Sequence, residues 1–98
     1  MNVKLMADYE CWPLWNKDEP NNLDPESLPL SRGLRDDLLR WSQWYDRTLK
    51  QDDPATSGFA SSEEEALFEQ EGRRLFECLR KELGSSYSVS YFERARAP

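Results

Sequence analysis

The sequence predicts an α+β fold in one domain spanning residues 1–98. Segments with strand patterning lie near the two ends of the chain, at residues 3–7 and 87–92, and two segments with helical periodicity lie between them. A chain of 98 residues has the size of a single domain, and 38% hydrophobic residues allow a small core. We expect the two terminal strands to pair and to pack on a hairpin of two helices.

The first strand is followed by a long loop over residues 8–30. Residues 3–7 are mostly apolar, and a polar segment with prolines follows at once. Four prolines between positions 13 and 29 exclude a helix of useful length there. An irregular segment of this length in a small domain needs anchors. The large apolar side chains available as anchors are Trp12, Leu14, Trp15, Leu23 and Leu28.

Both helices have typical starting residues. Ser31 precedes apolar residues spaced three and four apart, and it is suited to cap the first helix. Ser61 stands three residues before Glu64, which is the spacing of a capping box, and Gly84 supplies the end of the second helix. The predicted apolar face of the first helix is Leu34, Leu38, Trp41, Tyr45 and Leu49.

The second helix contains a glycine within its apolar face. This face consists of Leu67 or Phe68, followed by Gly72, Leu75, Leu79 and Leu83. A glycine inside a helix costs about 1 kcal/mol relative to alanine. We therefore expect an aromatic ring, that of Trp41 or Trp44, to lie against Gly72.

The last strand alternates large apolar and small polar side chains over residues 87–92, and residues 94–98 are expected to form a frayed tail. A sheet built on these strands leaves an open edge. A second copy of the chain or a strand of a partner can complete such an edge, so a homodimer is a possibility.

The composition excludes several classes of function. The chain has no histidine, which removes the commonest general base and metal ligand and every Ser-His or Cys-His pair. Nineteen acidic residues against thirteen basic ones give a net charge of −6, the wrong sign for nucleic acid or an anionic membrane. We expect a basic protein partner.

The sequence also predicts a protein without metal or other cofactor that works in the cytoplasm. Cys11 and Cys78 lie far apart with no C-x-x-C pattern, so both are expected to be free thiols. Residues 1–4 lack the pattern of an export signal, and the apolar stretches are too short to span a membrane.

The acidic residues are concentrated in two segments. Seven acids and no base lie between Lys50 and Arg73, and residues 8–26 contain six acids and one base. One interpretation is structural, because glutamates at a helix start favour its positive end and i,i+4 pairs are ordinary surface features. The other is a surface that attracts a basic partner, and the adjacent Asp52 and Asp53 favour it.

Two further groups of residues have alternative interpretations. Trp12 and Trp15 either fasten the loop to the domain or anchor an interface. Asp8, Glu10, Asp24 and Asp52 are available for paired-carboxylate chemistry, but nothing in their spacing distinguishes them from surface acids, so we do not expect an enzyme.

Several segments of the chain resemble a known protein family. They are LMADYECWPLW (5–15), NLDP (22–25), LPLS (28–31), WSQWYD (41–46), DDP (52–54), SGF (57–59) and EG (71–72). They are similar to small acidic bacterial immunity proteins of contact-dependent growth inhibition, a polymorphic toxin system. The resemblance implies binding of the toxic C-terminal domain of a toxin delivered by a neighbouring cell, in many cases a nuclease, with occlusion of its active site.

The leading hypothesis is an immunity protein that binds a basic toxin domain one to one. The alternative is a small acidic secretion chaperone or adaptor, which holds an unfolded segment across exposed apolar surface. From charge and ring placement, the predicted partner-binding residues are Asp52, Asp53, Glu63, Glu64, Glu65 and Glu69, with Trp15 and Asp24 as secondary contacts.

Overall fold

The computed structural model describes residues 1–48, 58–59 and 61–92, and it confirms the α+β class. A four-stranded mixed sheet forms one layer, and two helices form the other. The strands are β1 (Asn2–Leu5), β2 (Leu14–Asn16), β3 (Asn21–Leu23) and β4 (Ser88–Tyr91), and the helices are α1 (Arg32–Asp46) and α2 (Ser62–Leu83). The predicted tail at 94–98 lies outside the described residues.

The terminal strands β1 and β4 pair, as predicted, and they run parallel, with Val3 opposite Val89 and Leu5 opposite Tyr91. β2 is antiparallel to both β1 and β3, so the strand order is β3-β2-β1-β4. A parallel pair requires a long crossover connection, and α1 and α2 lie within it. Since side chains alternate along a strand, Val3 and Leu5 face the core while Lys4 lies on the opposite face.

The segment 8–30, predicted as an irregular loop, contains regular structure. β2 and β3 form an antiparallel hairpin, and a 3-10 helix follows at Pro25–Ser27. The Asn22 amide joins the hairpin, because its Nδ2 donates to the carbonyls of Trp12 and Leu14 at 2.7 and 3.0 Å. Strands of three residues are too short to show an alternating pattern, so the sequence analysis missed them.

Most of the predicted anchors hold this segment against the core. Leu14 and Leu28 are buried, and Leu23 packs against the core from its edge. The Trp15 indole is half-buried and donates its Nε1–H to a backbone carbonyl just after β1 at 2.9 Å. Trp12 is the most exposed of the predicted anchors, at 42%, so its ring is held less firmly than the others.

The predicted starts of both helices and the predicted end of the second helix are confirmed. Ser31 Oγ accepts from the Leu34 N–H at 3.2 Å, and Ser61 Oγ accepts from the Glu64 N–H at 3.1 Å. Each hydroxyl therefore satisfies one of the free amides of a first turn. Gly84 follows α2 with a φ of 66°, which glycine adopts without the steric cost that a Cβ brings.

The core lies between the sheet and the helix hairpin. Phe68 is fully buried and Leu67 is 57% exposed, so Phe68 is the residue that faces the core at this turn. Leu49, assigned from sequence to the apolar face of the first helix, lies outside the described residues, and α1 ends at Asp46. The buried apolar side chains include Val3, Leu5, Leu14, Leu34, Leu38, Trp41, Phe68, Leu75, Leu79 and Leu83.

Gly72 is the point of closest approach between the two helices and β4. A Cβ placed there would lie 2.8 Å from Trp41 Cζ2 and 2.9 Å from Tyr91 Cζ. The predicted contact between Gly72 and an aromatic ring is therefore confirmed for Trp41. Tyr91 occupies the same space from the sheet side, so the position has no room for a side chain.

Gly72→Ala should destabilise the fold by about 1–3 kcal/mol, because overpacking outweighs the gain in helix propensity of about 1 kcal/mol. Gly33, on α1, has nothing within 4 Å of a built Cβ. Gly33→Ala should therefore leave stability unchanged or raise it by up to about 1 kcal/mol. Urea unfolding of both variants measures the difference. Equal effects would contradict the close packing at Gly72.

Asp37 on α1 links the two helices through Arg74, whose Nη2 lies 2.9 Å from its carboxylate, and it also pairs with Arg40. Arg74, and after it Arg40, hold the pKa of Asp37 below its usual value, although partial burial opposes them. Because the folded-state pKa is lowered, this stabilisation is present above the unfolded pKa near 4 and is lost as the pH falls through the folded value.

Asp37→Asn should lower the free energy of unfolding at pH 7 by about 0.5–1 kcal/mol, since the ion pairs are partly exposed. The difference from the parent protein should shrink as the pH is lowered from about 4. Asp36→Asn, at the exposed neighbouring position, serves as the control and should change stability by less than about 0.5 kcal/mol. Chemical unfolding across the acid range measures both.

Candidate functional site

The first turn of α2 carries three consecutive glutamates. Glu63 is exposed, and Glu64 and Glu65 are half-buried. The free amides and the positive end of the helix macrodipole favour carboxylates at this position. The helix start therefore offsets part of the repulsion among the three carboxylates that it brings together at the surface.

The end of α1 lies beside the start of α2, because the two helices are antiparallel. At one end of the hairpin, Trp44 Nε1 donates to Glu64 Oε1 at 3.4 Å. At the other end, the backbone N–H and the hydroxyl of Ser31 both donate to Glu82. Asp46, the last residue of α1, therefore lies at the same end of the hairpin as the three glutamates.

The segment that follows β1 brings more carboxylates to this end. The Glu10 N–H donates to Asp46 Oδ1 at 2.8 Å, and Glu10 has a φ of 60°. The Tyr9 ring stacks on the Tyr45 ring with centroids 4.5 Å apart, and the hydroxyls of Tyr9 and Thr48 lie 3.1 Å apart. These contacts fix residues 8–10 against the end of α1.

The thiol of Cys11 lies close to these carboxylates. Partial burial raises its pKa, and the charges of Asp8, Asp46 and Glu10 raise it further. A thiol with a raised pKa stays protonated at neutral pH, which is the opposite of what a nucleophilic cysteine requires. Asp8, Glu10 and Asp46 therefore lie near one another around the thiol.

We call this group of side chains the acidic end. Among the described residues, Arg47 caps α1 at the same end of the hairpin and adds one positive charge to the six carboxylates. A surface of this kind attracts a basic protein over long range. The acidic end consists of Asp8, Glu10, Asp46, Glu63, Glu64 and Glu65.

A cluster of packed aromatic rings lies between the helices next to the acidic end. The Phe68 ring lies at its centre, with the rings of Trp41, Phe59, Trp44 and Tyr45 at centroid distances of 4.6, 5.0, 5.2 and 5.7 Å. Closely packed rings of this size give a rigid base. The carboxylates are therefore held on fixed elements, which reduces the entropy lost on binding.

The structure places one of the predicted binding residues, Glu69, in the interior. Glu69 is buried, with 6% of its surface exposed, and it accepts a hydrogen bond from the Tyr91 hydroxyl at 2.8 Å. It therefore belongs to the packing around Gly72 and is not part of an exposed acidic surface. Asp52 and Asp53 lie outside the described residues.

The two secondary contacts predicted from sequence lie in the segment 8–30. Asp24 caps the 3-10 helix, because its Oδ1 accepts from the Glu26 N–H at 2.9 Å. Trp15 is held by the hydrogen bond from its indole to the backbone after β1. Both side chains have structural roles there, and their part in binding stays a prediction.

The sequence analysis did not group Asp8, Glu10 and Asp46 with the glutamates of α2. Positions 8–10 and 46 are separated by most of the first half of the chain, and only folding brings them together. The aromatic residues Tyr9 and Tyr45, adjacent to these acids, are the one feature of the sequence that is consistent with the contact.

The described residues limit the chemistry of the site. Across 1–48, 58–59 and 61–92, no three His, Cys, Asp or Glu side chains are grouped so that they could hold a metal ion. In the same part of the chain, neither helix combines the length and the apolar character needed to cross a membrane.

The structure is a small α+β fold with carboxylates at one end of its helix hairpin and a cluster of aromatic rings beside them. The family model of the Serratia CdiI immunity protein-like proteins matches residues 1–94. The chain belongs to this family, which confirms the resemblance to immunity proteins of contact-dependent growth inhibition. No match was found among curated proteins.

Asp46→Ala should release the segment that carries Glu10, because the charged acceptor of the Glu10 N–H is lost. We expect the Glu10 amide to exchange with solvent about tenfold faster. Asp46→Asn keeps an oxygen acceptor and should change the rate by less than about threefold. Hydrogen exchange followed by NMR measures both rates. Unchanged exchange in the alanine variant would show that Asp46 does not hold this segment.

Proposed function

We propose that the protein neutralises the toxic C-terminal domain of a contact-dependent growth inhibition toxin by binding over its active site, one molecule to one toxin domain. The toxin domain is a nuclease whose substrate-binding surface is basic. The observation that supports this proposal is the presence of two acidic groups at one end of the helix hairpin, in a chain of the CdiI-like immunity family. Asp8, Glu10 and Asp46 lie near Cys11, and the first turn of α2 carries the three glutamates.

Charge complementarity accounts for the choice of partner. A nuclease holds a polyanionic substrate with lysine and arginine, so its active-site surface attracts carboxylates. The protein has a net charge of −6, and much of its described negative charge lies at one end. A concentrated field both accelerates the encounter and orients the partner so that the acidic end meets the basic surface.

Inhibition by occlusion requires no chemistry from the immunity protein. In this proposal the protein acts in the cytoplasm, without cofactor or turnover, and competes with the nucleic acid for the same basic surface. Family membership favours this function over the alternative of a secretion chaperone. The acidic end is also a better fit to a folded basic domain than to an unfolded apolar segment.

Glu63→Lys should slow association with the cognate toxin domain by about threefold to tenfold at low ionic strength, because it reverses one charge of the acidic end. Higher salt should reduce the difference, since charges farther apart than about 8 Å are screened at 0.15 M. Stopped-flow or biolayer association rates measured over a salt series test this expectation.

Glu19→Lys is the matched control, because it makes the same change of charge in the turn between β2 and β3, away from the helix hairpin. It should leave the association rate close to that of the parent protein. Equal slowing by both substitutions would mean that only total charge matters and that the acidic end is not the binding face. Size-exclusion chromatography with light scattering tests the one-to-one ratio and whether the free protein is a dimer.

A further inference from the structure

A groove runs between α1 and α2 next to the acidic end, with a volume of about 680 Å³. Trp41 and Trp44 of α1 and Leu67 of α2 form its apolar part. We call it the helix groove. Polar and charged side chains line the rest of it, namely Arg40, Arg47, Gln70, Glu71 and Arg74.

Leu67 is the most exposed of the large apolar side chains in the described residues, at 57%. Its neighbour Phe68 fills the core at this turn of α2, so Leu67 adds nothing to the interior of the domain. A polar residue at this exposed helical position would cost the fold little. Its position in a groove beside two tryptophans makes it suited to contact a partner.

The charges at the rim of the helix groove are largely paired within the molecule. Arg74 Nε lies 2.6 Å from Glu71, and Arg74 Nη2 lies 2.9 Å from Asp37. Arg40 also pairs with Asp37. Arg47 also lines the groove, so three guanidinium groups are offset by the carboxylates of Asp37 and Glu71, which leaves a formal charge of +1. Pairing reduces the field of the other two arginines, so repulsion of a basic protein is weak and the apolar part of the groove is available for contact.

The helix groove is continuous with the acidic end. Trp44 lines the groove, and the same indole donates its Nε1–H to Glu64 of the acidic end at 3.4 Å. Leu67 lies one helical turn after Glu63 and Glu64. The helix groove and the first turn of α2 therefore adjoin, and a protein bound at the acidic end has the groove within its reach.

We infer that the helix groove receives an apolar side chain of the toxin domain and that Leu67 is the residue that holds the complex together. The inference rests on the proposed function, because the occupant is the same toxin domain. The acidic end sets the rate of association, and the desolvated contact at Leu67 sets the rate of dissociation.

The test is Leu67→Ala, with both rate constants measured against the purified toxin domain. We expect dissociation to become at least about tenfold faster, as is typical when a central apolar contact is truncated. The association rate should stay within about twofold, because no charge is changed. Alanine is a good helix former, so thermal unfolding should show an intact fold.

Leu39→Ala is the matched control, because it truncates another exposed leucine, at 38% exposure on α1 and outside the groove. Its dissociation rate should equal that of the parent protein. Unchanged dissociation in Leu67→Ala, or equal acceleration in both variants, would overturn the inference while the proposed function stands. Failure of the parent protein to bind the toxin domain would overturn the proposed function itself.

Discussion

The packing of Trp41 and Tyr91 against Gly72 is the contact on which the rest of the structure depends. It joins α1, α2 and β4 at one point, and two hydrogen bonds secure it: Trp41 Nε1 donates to the Phe68 carbonyl at 3.0 Å, and the Tyr91 hydroxyl donates to Glu69 at 2.8 Å. Because β4 pairs with β1, the same contact ties the end of the chain to its beginning. The connection from β1 to β4, which contains both helices, is thereby packed against the strand at its own end.

The same aromatic cluster that completes the core also positions the acidic end. Phe68 touches the rings of Trp41 and Tyr45, and Tyr45 stacks on Tyr9 of the segment after β1. Asp8 and Glu10 flank Tyr9 in the sequence, and Asp46 follows Tyr45. The packed rings therefore fix the backbone at these acidic residues. This explains how a short chain holds many like charges together. Apolar packing of the aromatic rings offsets the repulsion among the carboxylates. The positive end of the α2 macrodipole also stabilises the glutamates in its first turn.

Features set by local pattern were predictable from the sequence, and features set by distant contacts were not. Helical periodicity gave the core faces, serine caps gave the helix starts, and a glycine within an apolar face indicated the contact with Trp41. β2 and β3 are too short to have a pattern of their own, and the Asn22 side chain that joins them acts across the hairpin. Glu69 was expected at the surface as one more acid in a charged run, but the space above Gly72 admits Tyr91, whose hydroxyl then requires an acceptor.

The distribution of charge along α2 gives the acidic end its direction. Acids occupy the first turn of α2 and Arg80 and Lys81 the last, and the 16 to 17 residues between the two groups correspond to roughly 25 Å. Glu77 pairs with Arg80 and Glu82 follows Lys81, so the last turns of α2 are close to neutral. Since the Debye length at physiological salt is about 8 Å, the bases there do not cancel the field of the acidic end. A uniform charge of −6 would attract a basic protein equally to every side of the molecule. With the carboxylates grouped at one end, a basic protein is attracted mainly to that end. Apolar side chains interact only when they are in contact. An apolar residue that binds the partner must therefore lie close to the charges that attract it. Leu67 meets this requirement, because it lies one turn after Glu63 and Glu64 on α2.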